Sequence, residues 1–202
     1  MAEIELVRGY RNYTDEELIL KFQSEDVQAF NEIVRRYKNK AVNFLYRYTG
    51  DREEAEDLAQ DTFIKVFRSK HLYKEIAKFS TWFYTIAVNT AKTNSKKRGR
   101  MSTISLSSFD TENEKDFDLT ADIQTPEEDA NSSIENEYIQ RAINSLDEAF
   151  KQIIIMRDIE DLDYDEIAQA LELPLGTVKS RINRGREKLK KILSEIYPYK
   201  EQ

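Results

Sequence analysis

Residues 70–100 hold eight cations, Lys70, Lys74, Lys78, Lys92, Lys96, Lys97, Arg98 and Arg100, against one carboxylate, Glu75. Interleaved with them are Tyr73, Phe79, Trp82, Phe83 and Tyr84. Rings and cations together suit exposed nucleic-acid bases. Stacking an unpaired base on an aromatic face contributes about 1–3 kcal/mol, and a basic groove holds the phosphate backbone in a salt-dependent way. Duplex DNA hides the base faces, so this chemistry favours strands that are already apart. Phe83 falls on an apolar helical stripe and reads as core, and Trp82 fits a core position at least as well as a stacking platform. Tyr73 and Tyr84 fall outside the stripe and are expected to face solvent.

A second basic stretch lies near the C-terminus, where residues 174–192 carry seven Lys and Arg against Glu187. On a helical wheel Val178, Ile182, Leu189 and Ile192 face inward, while Lys179, Arg181, Arg184, Arg186, Lys188 and Lys190 spread over the outer side. Cations at a helix C-terminus can merely answer the helix dipole. Here, however, a short helix and a tight turn precede them, and Thr177 and Ser180 lie among them. That order is a helix-turn-helix, whose second helix fits the major groove of intact duplex. Arginine there makes bidentate bonds to guanine worth about 1–3 kcal/mol of discrimination.

The third feature is acidic. In DREEAEDLAQD, residues 51–61, Glu53, Glu56, Asp57, Gln60 and Asp61 lie largely opposite the buried stripe. They read either as a solvated face or as a docking face for a basic protein, since one-sided carboxylates steer association. The Glu-x-x-His pairs of a di-iron bundle are absent. The chain has no Cys and a single His, His71, which excludes thiolate chemistry and leaves little for a zinc site. Without a glycine-rich phosphate loop or a Ser/His/Asp set, no catalytic constellation can be assembled, and no cofactor is expected. The acidic N-terminus lacks the features of a signal peptide, and no apolar run approaches a membrane span, so a cytoplasmic protein with no membrane insertion is expected.

The elements that must position these residues are helices. Thr14 and Glu17 form a capping box before a short helix bearing Leu18 and Phe22. Phe30, Ile33, Val34, Tyr37, Ala41, Phe44, Leu45 and Tyr48 recur at three- and four-residue steps up to Gly50. Asp51 caps a third helix, with Glu54 in the box position and a stripe running from Ala55 to Phe67. Ser80 is expected to cap a fourth, ending near Gly99. Matching stripes make a four-helix bundle over residues 1–100. Periodicity disappears over 101–133, an acidic stretch with one Lys against eleven Asp and Glu over 101–137, read as an extended tether. Residues 134–202 then form a second helical domain, with a capping box at Asp163 and Glu166 and a turn near Glu172 to Pro174. The overall charge of −7 hides this segregation, because residues 1–100 hold 19 Lys and Arg against 15 Asp and Glu.

Three motifs occur in one order and spacing. Ala55, Glu56, Asp57, Leu58, Gln60, Asp61 and Phe63 form the first; Phe79, Trp82, Phe83, Ile86, Ala87 and Asn89 the second; Gly176 to Arg181, GTVKSR, the third. By these motifs the chain resembles the extracytoplasmic-function sigma factors of bacterial RNA polymerase over nearly all of residues 14–195. The resemblance implies an all-α fold with sigma region 2, the acidic linker and sigma region 4. It implies docking of Glu56, Asp57, Gln60 and Asp61 on the polymerase clamp helices, contact with the flap of the large subunits, and an anti-sigma partner. Lys70, Tyr73, Lys74, Lys78, Trp82, Asn89, Lys92, Thr93, Lys96, Lys97 and Arg98 would serve minus-ten recognition and melting. Thr177, Lys179, Ser180, Arg181 and Arg184 would read the minus-thirty-five element, and the linker would pass through the RNA path. Asn94, Lys96, Lys97, Asp147, Glu148 and Glu172 depart from the family pattern, the last in a turn where Gly is frequent. The rival reading is a two-domain helix-turn-helix regulator binding duplex DNA as a dimer, which leaves the basic aromatic stretch unexplained.

Overall fold

The computed structural model describes residues 9–104 and 126–197, with side chains for 9–95 and 134–197. All regular elements among the described residues are helical. The N-terminal half comprises α1 (Asp15–Gln23), α2 (Val27–Thr49), α3 (Arg52–Ser69), a 3-10 turn (Lys70–Leu72) and α4 (Phe79–Ile104). The C-terminal half comprises α5 (Pro126–Asn144), α6 (Glu148–Ile154) running into a π turn (Ile155–Ile159), α7 (Tyr164–Leu171) and α8 (Leu175–Ile196).

Local chemistry explains most of the boundaries. Thr14 and Glu17 satisfy each other's backbone N–H groups at the start of α1, and Asp163 and Glu166 do the same at α7. Gly50 ends α2 at φ 79°, a left-handed conformation that costs glycine nothing. Glu172 takes the same conformation at φ 53° to end α7, so the helix-turn-helix turn is made with a residue that carries the steric cost of a Cβ.

Three starts and ends differ from the sequence pattern. The first N–H of α4 belongs to Phe79, not to a residue after Ser80, and it donates to the Glu16 carboxylate at 2.9 Å. A cap supplied from α1 is invisible to a local reading. Helix α4 passes Gly99 and continues to Ile104, and α5 begins at Pro126, inside the stretch expected to be tether. Pro at a first helical position loses no hydrogen bond. Residues 105–125, the centre of the acidic linker, lie outside the described residues.

The N-terminal core is aromatic. Phe83, fully buried, meets Tyr37 at 4.8 Å, Phe63 at 5.5 Å and Phe79 at 6.1 Å between ring centroids. Phe67, expected in the buried stripe of α3, is 47% exposed and rests one edge on Phe22 and Phe30. A polar cluster ties α1 to α2: Arg36 bridges Asp15 (2.7 Å) and Glu32 (2.9 Å), and Tyr37 donates to Asp15 at 2.7 Å. The two arginines Arg35 and Arg36 hold the buried Glu32 carboxyl down to about 2.

The halves touch through polar groups. Thr81 donates to Glu166 (3.1 Å), Tyr84 donates to Glu160, and Lys78 pairs with Glu166 (3.2 Å) and Asp163 (3.7 Å). Lys151 donates to the Tyr48 carbonyl at 3.3 Å, and a Cβ on Gly50 would lie 2.4 Å from the Asn144 side chain.

Candidate nucleic-acid interface

In α4, Trp82, Asn89 and Thr93 recur at seven- and four-residue steps and so share one helix face. Asn89 and Thr93 are exposed and Trp82 is half-buried. Lys92 is half-buried beside them. Lys96, Lys97 and Arg98 follow on the same helix, but their side chains lie outside the described residues.

The segment before α4 is not the row of solvent-facing rings and cations that the spacing suggests. Tyr73 is 4% exposed and Tyr84 3%, both inside the fold. Tyr84 packs on Phe44 at 4.9 Å and Phe83 at 5.6 Å, and its hydroxyl is given to Glu160 of the C-terminal half. Tyr73 sits edge-on to Trp82 at 5.5 Å, its hydroxyl donates to the Ala77 carbonyl at 2.9 Å, and burial pushes its pKa up to about 12. Lys70 is also buried. Its ammonium donates to the Phe22 carbonyl (3.2 Å) and Glu25 (2.7 Å) and lies 4.5 Å from the Phe22 ring. Tyr73 and Lys70 therefore brace the loop and cannot reach DNA as placed. Lys74 and Lys78 are exposed, Lys78 within its ion pairs to α7.

The loop instead presents apolar groups. Leu72 is 72% exposed and Ile76 85%. Sequence reading misses them, since two isolated aliphatics between lysines carry no periodicity. Trp82 links this loop to the exposed face of α4 through its contact with Tyr73, so the two surfaces are continuous.

In α3, Glu56, Asp57, Gln60 and Asp61 are all exposed, as a solvated or docking face requires. They divide into two surfaces. Glu56 and Gln60 border a groove between α2 and α3 floored by Val34, Val42, Ala59, Phe63 and Ile64, which the charge pattern does not reveal. Asp57 and Asp61 turn toward Asn94 of α4. Asn94 donates to Glu54 at 2.7 Å, a bond that an aspartate in its place would replace with repulsion.

In α8, Val178 and Ile182 are buried, and Gly185 packs so closely that an added Cβ would lie 2.9 Å from Ile154. The outer cations divide by task. Arg186 grips Asp158 through Nε and Nη2, one edge of its guanidinium, and Lys188 pairs with Asp147 at 2.6 Å, so these two hold the domain together. Lys179, Ser180 and Arg184 are exposed, and Thr177 and Arg181 half-exposed, on the first turns of the helix. Lys179, Arg181 and Arg184 make no ion pair among the described residues. The N-terminal turns of a second helix are the part that meets base edges.

No helix among the described residues is long and apolar enough to cross a membrane, and none of their His, Asp and Glu side chains gather in threes to hold a metal. Comparison with known proteins agrees with the two-part layout. Residues 33–101 match the Sigma-70 region 2 model and residues 136–189 the Sigma-70 region 4 model. The ECF RNA polymerase sigma-E factor of Haemophilus influenzae is 38% identical over 175 residues, spanning 86% of this chain and 92% of its own. The RNA polymerase sigma-H factor of Pseudomonas aeruginosa is 33% identical over 183 residues, 90% of this chain and 95% of its own. The fold is shared with the sigma factor RpoE of Bartonella quintana, solved in complex with the anti-sigma factor NepR: TM-score 0.65, 22% identity, 81% of this chain and 96% of that one. With two domain models in sequence and full-length relatives above 30% identity, this chain belongs to the extracytoplasmic-function family of RNA polymerase sigma factors.

Proposed function

We propose a division of labour for this sigma factor in which the N-terminal half takes hold of a separated promoter strand and the C-terminal half reads intact duplex. The observation that carries this reading is the contrast between the two exposed surfaces. One offers aliphatic side chains, the edge of Trp82, Asn89 and Thr93 beside a basic helix tail, which suit unstacked bases. The other offers Thr177, Lys179, Ser180, Arg181 and Arg184 on one helix end, which suit a major groove. Residues 1–100, 101–133 and 134–202 would be the corresponding units, the middle one a tether. Glu56, Asp57, Gln60 and Asp61, together with the apolar groove that Glu56 and Gln60 border, would dock the chain on the clamp helices of polymerase core. A second contact to the flap, an anti-sigma partner and cytoplasmic residence follow from the family resemblance. The chain acts as a specificity factor with no catalysis of its own.

Unlike a dimeric regulator, the free chain is expected to bind a forked minus-ten fragment weakly and to bind it tightly once polymerase core is added. Transcription by purified core on a random promoter library, with and without the chain, tests this. Tight, specific duplex binding by the free chain as a dimer would contradict it.

A further inference from the structure

The loop that carries Ile76 is held in shape by a helix distant in sequence. Gln23, the last residue of α1, directs its side-chain amide at two backbone carbonyls of that loop, Lys70 O at 2.7 Å and Tyr73 O at 3.0 Å. These carbonyls flank the 3-10 turn, whose own closing bond runs from Tyr73 N to Lys70 O at 3.2 Å. The same corner is pinned from the other side by the Lys70 ammonium on Phe22 and Glu25, and Glu25 is held there at φ 67°. Downstream, Tyr73 closes on Ala77 through its hydroxyl, and Glu16 of α1 caps the first N–H of α4. Helix α1 thus fixes both ends of the loop. Between Tyr73 and Ala77 the residues Lys74, Glu75 and Ile76 rise clear of the fold, with Ile76 the most exposed large apolar residue described.

An aliphatic side chain left 85% exposed gains little from the fold and is free to make its contact elsewhere. A frame this rigid around it loses little entropy when that contact forms. We propose that Gln23 is a positioning residue for capture of the separated strand: by bridging the Lys70 and Tyr73 carbonyls it fixes the turn that offers Ile76 to an unstacked base. Gln23 touches no DNA itself. The inference rests on the strand-capture reading above and names the group outside the recognition surface on which that capture depends.

The test is a double-mutant cycle on reconstituted holoenzyme. The probe is a labelled forked duplex whose single-stranded segment is the sequence that wild-type holoenzyme selects from a randomised six-nucleotide library. Ile76→Ala, at an exposed position, should weaken binding about tenfold through the lost aliphatic contact, and Gln23→Met, which keeps length but loses the donor, should weaken it by a similar factor. In the Ile76→Ala background Gln23→Met should cost nothing further, because it acts through Ile76. Affinity for core and for minus-thirty-five duplex should stay unchanged. Amide exchange in the free Gln23→Met chain should quicken over residues 70–77 and remain as in wild type elsewhere in α1 to α4. Additive losses in the cycle, or exchange quickened throughout the bundle, would overturn the role of Gln23 while leaving strand capture standing. A wild-type holoenzyme that does not distinguish the forked probe from duplex would sink both.

Discussion

The two regions proposed to meet DNA are built in opposite ways. Helix α8 is a rigid rod whose recognition turns stand free: Val178, Ile182 and Gly185 anchor one side, and Arg186 and Lys188 are spent on Asp158 and Asp147, leaving Lys179, Arg181 and Arg184 outward. The pattern of a duplex groove is fixed, so a helix that presents fixed donors suffices. The N-terminal surface is composite. It joins a loop, a helix face and an aromatic bed, and most of its rings and one of its lysines are internal braces. A separated strand has no preset shape, so the protein must supply it. The lesson is that positive charge near a nucleic-acid site has two uses, contact and support, and burial tells them apart: Lys70 is 8% exposed and supports, whereas Lys179 is exposed and free of ion pairs.

The largest expected effect breaks the composite side at its bed. Phe83→Ala removes a fully buried ring in contact with four others and should cost about 3–5 kcal/mol of stability in the N-terminal half. By calorimetry the C-terminal transition should persist; a proportionate loss in both would deny that each half has its own core. Next in size, Arg184→Ala should cost about 1–3 kcal/mol of discrimination at the minus-thirty-five element and leave forked minus-ten binding unchanged. Equal loss on both probes would show that the division between the regions is wrong. Gly185→Ala forces a methyl against Ile154 and should destabilise the C-terminal half by about 1–3 kcal/mol, lowering minus-thirty-five affinity without touching bases.

The smallest effect concerns the contact between the regions. Burial raises the Glu160 carboxyl above its ordinary 4.5, the Tyr84 hydroxyl opposing part of that rise, with Lys40 the nearby cation. A carboxyl raised in the closed chain favours closure below its ordinary pKa, and that contribution disappears as pH rises through the raised value. Burial raises Glu148 likewise, while Lys151 at the same boundary is lowered and acts only at alkaline pH. The chain lacks cysteine, so labels introduced at Ser24 and Glu187 can report separation. Their distance should lengthen from mildly acidic to neutral buffer, and Glu160→Gln should flatten the change. A flat profile in wild type would remove Glu160 from the contact.

Much of this was legible in the sequence where the governing interaction is local. The boxes at Thr14 and Asp163, the left-handed end at Gly50 and the outward cations of α8 all follow from residues within a turn or two of each other. The acidic residues of α3 are exposed for the same reason: their spacing sets them opposite Ala55, Leu58 and Ala59. What the sequence hides is set by partners far along the chain. Tyr84 looks exposed on its own helix and is buried against Phe44 of α2, with Glu160 of the other half taking its hydroxyl. Lys70 looks like a DNA contact and is instead taken by Phe22 and Glu25. Gln23 has no pattern of its own and acquires a role only when the loop folds against it, and Glu16 replaces Ser80 as the cap of α4 in the same way. The Asn94 departure likewise makes sense only beside Glu54.

A photo-crosslinking amino acid placed at Ile76 or at Ser180 in reconstituted holoenzyme tests the central division most directly, with adducts mapped on promoter DNA. Position 76 should mark the non-template strand at the minus-ten element only under conditions that open it, and position 180 should mark duplex at the minus-thirty-five element whether or not the strands part. Adducts from both positions on the same closed duplex segment would contradict the account.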